Sequence, residues 1–276
     1  MPELPEVETI RRQLENELQG SKLLSLQTTF PKSFRSSFAL VKKNILAQKI
    51  KKIKRQAKLL IFQLEKGEYL LFHLKLTGRL LIRKEGEKAD DYTRSVFTLQ
   101  TNKGKVVELR FADARKFGFV KLVRSKKEMD SLLQGFGPEP LKDLTRGKFS
   151  QILKKSGQAV KVVLMDQSKI SGIGNIYAND ALWLSQINPQ KPSRDLKPTE
   201  VKKLYQSVLI VLKRGLRYGG ASDQWYRQVH GQKGHYQEHF LVYGLNGKEC
   251  RRCKAQIKRI VLGGRGTFFC PFCQSQ

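Results

Sequence analysis

CRRCKAQIKRIVLGGRGTFFCPFC, residues 250–273, holds all four cysteines of the chain, Cys250, Cys253, Cys270 and Cys273. They form two C-x2-C pairs with sixteen residues between them. In a reducing compartment two such pairs read as ligands of one metal ion and not as two disulfides. Four thiolates close a tetrahedral Zn²⁺ site with no open position, so one structural Zn²⁺ is expected, not a catalytic one. The spacer suits a ribbon: each pair sits on a turn and a β-hairpin joins them.

Working outward, RYGGAS (217–222) and a loop containing glycine and histidine (230–236) precede the ribbon. Before them the periodicity is helical, with candidates at 145–155, 158–166, 175–185 and 198–217. The last starts with Pro198 and has Thr199 as a plausible cap. GFGPEPL (135–141) concentrates two glycines and two prolines and reads as a linker. Upstream the period changes to two. EYLLFHLKL (68–76) puts Leu70, Phe72, Leu74 and Leu76 on one face, and similar runs occur at 58–64, 95–101, 105–111 and 117–123. Short strands at this spacing predict a sandwich. Residues 3–19 read as a helix with an apolar stripe of Val7, Ile10, Leu14 and Leu18. The expected parts are a β-sandwich domain (1–134), a linker (135–144), a helical domain (145–240) and the zinc ribbon (241–276).

The chain carries 53 Lys+Arg against 24 Asp+Glu, a net charge of +29 over 276 residues. A globular protein this basic is matched to a polyanion, with nucleic acid the leading partner. The longest apolar runs, such as VLIVL (208–212), are far too short to span a bilayer, and acidic residues begin at Glu3 where a signal peptide would be basic. A cytoplasmic protein without membrane attachment is expected. KIKKIKRQAK (49–58) holds six basic residues and no acid, and 245–276 holds seven basic residues and one acid. Either run alone is compatible with a solvated face; together they favour phosphate contacts, which position without reading sequence. SGIGNIYAND (171–180) leads two glycines into a helix opened by Asn175. Its N–H groups could hold a phosphate, or it could be an ordinary turn with an Asn cap. FADARKFGF (111–119) places Arg115 beside Phe117, either a wedge for a base stack or a hairpin with a core phenylalanine.

The chain opens MPELPEVETI. Removal of Met1 would leave Pro2 as a free secondary amine beside Glu3. An α-amino group is neutral at pH 7 in roughly a tenth of molecules, a lysine in roughly 0.04%. Such an amine can attack a sugar C1′ and pass directly to an iminium ion, with Glu3 as general acid/base. The alternative is a helix start, with proline at its first turn and carboxylates complementing the dipole.

Taken together, MPELPEVET, DQSKISGIGNIYANDAL (166–182), GFGPEPL, DARKFG (113–118), LVYGLNGKEC (241–250) and GGRGTFFCPFC (263–273) closely resemble the formamidopyrimidine-DNA glycosylases. The likeness runs through essentially the whole chain in order. The related endonuclease VIII branch starts differently. The resemblance implies an α+β multidomain fold: an N-terminal β-sandwich flanked by helices, a helix–two-turn–helix domain and a zinc-ribbon hairpin. It implies a bacterial base-excision-repair enzyme, nucleoid-associated and monomeric, acting on damaged double-stranded DNA. That enzyme removes oxidised purines such as 8-oxoguanine and formamidopyrimidines, then cleaves the strand by β,δ-elimination.

By resemblance Pro2 is the nucleophile and Glu3 the acid/base, with Glu6 supporting the pocket. Lys58 contacts phosphate and damaged purine, Asn175 grips phosphate, and Arg265 at the hairpin tip holds the phosphates flanking the lesion. Leu76, Arg115 and Phe117 fill the gap left by the flipped nucleotide, and the loop near 220–236 closes over the base. The sequence departs from the pattern in four places. Leu76 stands for a methionine, DYTRS puts Thr93 where a histidine is usual, and Asp180 replaces a glutamate. Gly157 takes the place of a basic phosphate contact, with Lys154 and Lys155 close by. These departures keep open a preference for oxidised pyrimidines, or a DNA-binding protein without catalysis.

Overall fold

A computed structural model describes residues 1–275 and divides the chain into two compact units. The first comprises Met1–Gln134 together with Tyr218–Gln237; the second comprises Gly135–Arg217 together with Glu238–Gln276.

In the first unit the opening helix α1 (Leu4–Leu18) is followed by β1 (Lys22–Thr28), α2 (Phe38–Ile45), β2 (Ile50–Gln56), β3 (Leu59–Leu64) and β4 (Tyr69–His73). Then come β5 (Gly78–Lys84), β6 (Thr93–Gln100), β7 (Val106–Asp113), β8 (Phe119–Val123) and α3 (Lys126–Leu133). The strands form two antiparallel sheets, ordered β1-β6-β7-β5 and β2-β3-β4-β8. Their inner faces share one core that includes Leu60, Phe62, Phe72, Phe97, Leu109 and Phe111. Phe72, on the second sheet, meets Phe97 and Phe111 of the first, centroids 5.5 and 6.1 Å apart and edge-on. Such pairs add about 0.5–1.5 kcal/mol each beyond the area they bury. Val7, Ile10, Leu14 and Leu18 of α1 enter the same core, as the helical stripe predicts.

β2 is an edge strand, and its Lys51, Lys52 and Lys54 are exposed. Charged side chains there oppose pairing with another sheet. The basic run is therefore a strand, whose buried Ile50 and Ile53 stand three apart across a register shift and so give no period of two. β4 ends at His73, so Leu76 does not continue the face of Leu70, Phe72 and Leu74. It lies half-buried on a turn that Lys75 enters at φ +50°. Gly78 closes that turn onto the Leu74 carbonyl at 2.9 Å, and any Cβ there would stand 2.5 Å from the same oxygen.

Tyr218–Gln237 follows the long helix in sequence, and sequence order alone puts it in the helical domain. It packs with the sheets instead. Tyr226 and Val229 join the core of the first unit, and Ile82 N–H donates to the Val229 carbonyl at 2.7 Å.

The second unit holds α4 (Arg146–Lys154), α5 (Val160–Met165), α6 (Asn175–Ser185), α7 (Pro198–Arg217) and the hairpin β9 (Lys258–Leu262) and β10 (Arg265–Phe269). Nine of the eleven α6 residues are buried, so it is the central helix of this unit; α7 is amphipathic, burying Val201, Leu204, Val208, Val211 and Leu212. The fold is α+β, with an N-terminal pair of sheets, a helical part and a C-terminal hairpin.

Candidate active site and metal centre

In the first unit Pro2 and Glu3 stand at the head of α1, both buried. Glu3 is the N-cap, and its N–H donates to the Glu6 carboxylate at 2.8 Å. The other Glu6 oxygen accepts from Ala221 N–H at 2.8 Å. One buried carboxylate thus fixes the start of the chain and grips the 218–237 segment. Tyr226 lies beside it, donating from its hydroxyl to the Gly219 carbonyl at 3.0 Å. Burial first, and the Glu6 charge second, push the Tyr226 phenol well above its ordinary value, so it stays a protonated donor.

Lys58 sits in the two-residue turn between β2 and β3, after Ala57 at φ +52°. Arg55 locks the turn, donating to the Ala57 carbonyl at 2.8 Å and to Glu8 of α1 at 3.0 Å. Glu8 also accepts from Arg11 and Arg12. Its carboxyl is held below the usual range: burial opposes this, but the three guanidinium bonds outweigh burial. Lys58 is thereby tied to the helix that carries Pro2 and Glu3.

His73, which the sequence reading passed over, belongs with this group. Its Nδ1 accepts from Lys75 N–H at 3.0 Å. Burial, then Lys75 and Lys58, push its pKa down to about 3. It is the single histidine on the inner strands, which was the available signal. A depressed histidine costs stability as pH falls, because only the unfolded chain takes the proton between its ordinary value and about 3. From pH 7 to pH 5, His73→Gln is expected to lose about 2 kcal/mol less unfolding free energy than the wild type. Urea titrations at the two pH values check this; parallel losses would count against it.

The wedge candidates lie on two linked turns. Thr77 on the Leu76 turn donates to Asp113 and accepts from Arg115 N–H at 3.0 Å. Asp113 also accepts from Gly118 N–H at 2.7 Å, cradling residues 114–118. At the exposed tip the Arg115 guanidinium lies 4.9 Å from the Phe117 ring centroid, and Phe117 is 49% exposed. Phe117 is therefore not a core residue of a hairpin. An exposed cation–aromatic pair can stack on bases.

In the second unit Asn175 is the first residue of α6, and Gly174, not Asn175, is the cap. One N–H of the Asn175 amide donates to the Gly266 carbonyl of β10 at 3.0 Å. Lys161, also passed over in the sequence, is fully buried and donates to the same carbonyl at 3.1 Å and to Thr267 Oγ1 at 2.7 Å. Asn179 Oδ1 accepts from Phe268 N–H at 2.7 Å. Three side chains from α5 and α6 thus fix the strand that begins with the exposed Arg265. The turn before it, Gly263-Gly264, has φ +57° and +70°, the double left-handed geometry of a tight hairpin. Gly157 is exposed and makes no side-chain contact, but the Arg194 guanidinium lies 3.5 Å from where its Cβ would be. Asp180 Oδ1 gathers the N–H groups of Leu241, Val242 and Tyr243 at 3.1–3.3 Å.

The four cysteine sulfurs lie within 4.8 Å of one another, with Cys250–Cys273 at 3.9 Å and Cys253–Cys270 at 3.4 Å. Zn–S bonds of ~2.3 Å in a tetrahedron put sulfurs roughly 3.8 Å apart, so the donor set fits one structural zinc. Burial would raise the Cys250 thiol. N–H groups of Arg252, Cys253 and Trp183 outweigh it and bring its pKa down to about 6. The Trp183 indole N–H lies 3.4 Å from that sulfur, and Arg252 stacks on the Trp183 ring. Bound zinc would order the hairpin; it offers no open position for chemistry.

Two antiparallel sheets headed by a buried Pro-Glu, a helical part and a thiolate hairpin together define one class of multidomain α+β protein. Family models match along the chain: the formamidopyrimidine-DNA glycosylase N-terminal domain over residues 1–120, the formamidopyrimidine-DNA glycosylase H2TH domain over 136–226, and a zinc finger found in FPG and IleRS over 247–276. A formamidopyrimidine-DNA glycosylase from Herpetosiphon aurantiacus is 40% identical, with all of both chains covered. Lactococcus lactis Fpg in complex with DNA containing an abasic site superposes with a TM-score of 0.92 at 33% identity, covering 99% of this chain and 100% of that one. The same enzyme with DNA containing an oxidised pyrimidine gives 0.91 at 33% identity, both chains fully covered. The chain belongs to the formamidopyrimidine-DNA glycosylase family. Among the described residues no helix is long and apolar enough to cross a membrane.

Proposed function

We propose that this protein is a base-excision DNA glycosylase for oxidised purines, 8-oxoguanine and formamidopyrimidines, and a lyase that cuts the strand at the resulting abasic site. The observation that carries this reading is the buried Pro2-Glu3 head of α1, braced by Glu6 against Ala221. With Met1 removed, the Pro2 lone pair attacks C1′ of the damaged nucleotide. The C1′–base bond breaks, and the base leaves with its electron pair and the proton shed by the attacking amine. Glu3 protonates the ring oxygen O4′ as the C1′–O4′ bond breaks, and the amine lone pair forms the C1′=N bond. The iminium ion between Pro2 and C1′ acidifies the C2′ hydrogen. Its removal expels the 3′ phosphate, and a second elimination expels the 5′ phosphate. Hydrolysis of the iminium returns the free amine.

Lys58, Asn175 and Arg265 hold backbone phosphates, and Leu76, Arg115 and Phe117 occupy the vacated place in the stack. Gly157 has no side chain to give a phosphate; in this reading the neighbouring Arg194 guanidinium takes that contact. One chain supplies every part, so the protein works as a monomer on nucleoid DNA in the bacterial cytoplasm. A net charge of +29 suits that partner.

Borohydride added to enzyme and a duplex with 8-oxoguanine opposite cytosine is expected to trap a covalent adduct. The adduct should be N-terminal by peptide mapping, and Pro2→Gly should reduce its yield. No adduct, with Met1 shown to be absent and DNA binding intact, would leave a binding protein. A complex of the Lactococcus lactis enzyme with an oxidised pyrimidine favours a second reading, in which the preferred lesion is a pyrimidine. Rates on a panel of lesion duplexes decide between the two.

A further inference from the structure

The 218–237 segment is fastened to α1 at several points. Ala221 binds Glu6, Gln228 and Val229 bind Gln13, and His230 binds Glu17. Its outer turn, residues 223–227, meets the sheet differently. The Trp225 ring lies edge-on to Tyr92, centroids 5.8 Å apart at 73°.

Tyr92 is held for this contact. It has φ +64°, which side chains other than glycine rarely adopt, and is 48% exposed. Its carbonyl accepts from Asp113 N–H at 3.0 Å. The preceding residues are clamped: Arg83 and Arg110 bind Asp90 at 2.8 and 3.2 Å, and Arg79 donates to the Asp91 carbonyl at 2.9 Å.

A like-charge pair opposes the contact. Arg79 on β5 is near Arg227 on the turn, and its buried Nε has no hydrogen-bond partner. Burial, then the Arg227 charge, lower the Arg79 pKa. Tyr226 anchors the turn in the core. Beside it the outer part of the turn is drawn to the sheet by the Trp225–Tyr92 contact, and the Arg79–Arg227 repulsion, partly offset by Asp90 and Asp91, opposes that contact.

We propose that Tyr92 is a positioning residue for the damaged base. Ala221 and Tyr226 are fixed by Glu6 and the core; through Trp225, Tyr92 sets how closely the outer residues 223–225 lie over the Glu6 end of the pocket. This rests on the glycosylase reading above. A base still attached to a sugar at Pro2 must lie beside Glu6 and Ala221, whereas an abasic sugar needs nothing there. Tyr92 therefore governs selection of the base and not strand cleavage.

The test compares wild type, Tyr92→Ala and Tyr92→Phe on two duplexes, one with 8-oxoguanine opposite cytosine and one with an abasic site. Tyr92→Ala is expected to lower kcat/KM on the first about fivefold to tenfold, the worth of one edge-to-face contact. Cleavage of the abasic duplex stays within about twofold, and Tyr92→Phe restores base release. Tryptophan emission gives an independent reading. Trp183 and Trp225 are the two tryptophans. Only Trp225 touches position 92, so Tyr92→Ala should shift emission and Tyr92→Phe should not. Equal losses on both duplexes, an unchanged ratio in Tyr92→Ala, or unchanged emission overturns the proposal. If the wild type releases no base at all, the glycosylase reading fails, and with it the role of Tyr92 in base selection. The emission arm then decides only whether the contact exists.

Discussion

Glu3→Gln is expected to bind damaged duplex as the wild type does and to release the base about 10²–10⁴ times more slowly, the usual worth of a positioned acid/base. The substitution keeps the shape of a buried side chain at the head of α1 and preserves the backbone bond from residue 3 to Glu6. What it removes is a proton that can move. The Pro2 amine is untouched, so the variant should still form a borohydride-trapped adduct on a duplex with a preformed abasic site. That split separates acid/base chemistry from nucleophilic attack. Base release at the wild-type rate would remove Glu3 from the reaction.

Cys250→Ser should empty the metal centre. Zinc content is expected to fall from about one ion per chain to near zero, because three thiolates and a neutral hydroxyl hold zinc far less tightly. An isolated two-stranded hairpin is marginal in water, and this one buries little apolar surface beyond Ile257 and Phe269. Its order then rests on the metal and on Lys161, Asn175 and Asn179. Losing the metal should free Arg265 from its place and reduce strand cleavage at least about a hundredfold, as expected when a reacting group is mispositioned. The thermal transition of the sheet unit should persist. Retained zinc, or cleavage within about twofold of wild type, would contradict this account.

Much of this molecule is legible in its sequence, for identifiable reasons. α1 is found because four apolar residues repeat at helical spacing, and the ribbon because cysteine pairs have few other uses. α6 and α7 agree with the sequence reading to the residue, each bounded by glycine or proline. β2 escapes notice because its buried residues, Ile50 and Ile53, stand three apart across a register shift with lysines between them, so no period of two shows. Leu76 looks like a fourth strand residue because periodicity does not register a turn entered by a lysine at positive φ. At the site, the residue types that do chemistry stand out in sequence, whereas the residues that hold them do not. Lys161 and His73 look like one more lysine and one more histidine until the fold buries the first against Gly266 and half-buries the second beside Lys58.

The sheet unit is not a continuous piece of chain. Its last twenty residues, Tyr218–Gln237, are reached only after the whole of Gly135–Arg217 has been made. A gene fragment ending at Gln134 would therefore lack Tyr226 and Val229 of the core, and would lose the bonds that Glu6 and Gln13 make to Ala221 and Val229. On the ribosome the pocket side of this protein waits for its helical neighbour to be synthesised before it can close. Evolution by exchange of whole domains is hindered at this junction, because no single cut separates the two units.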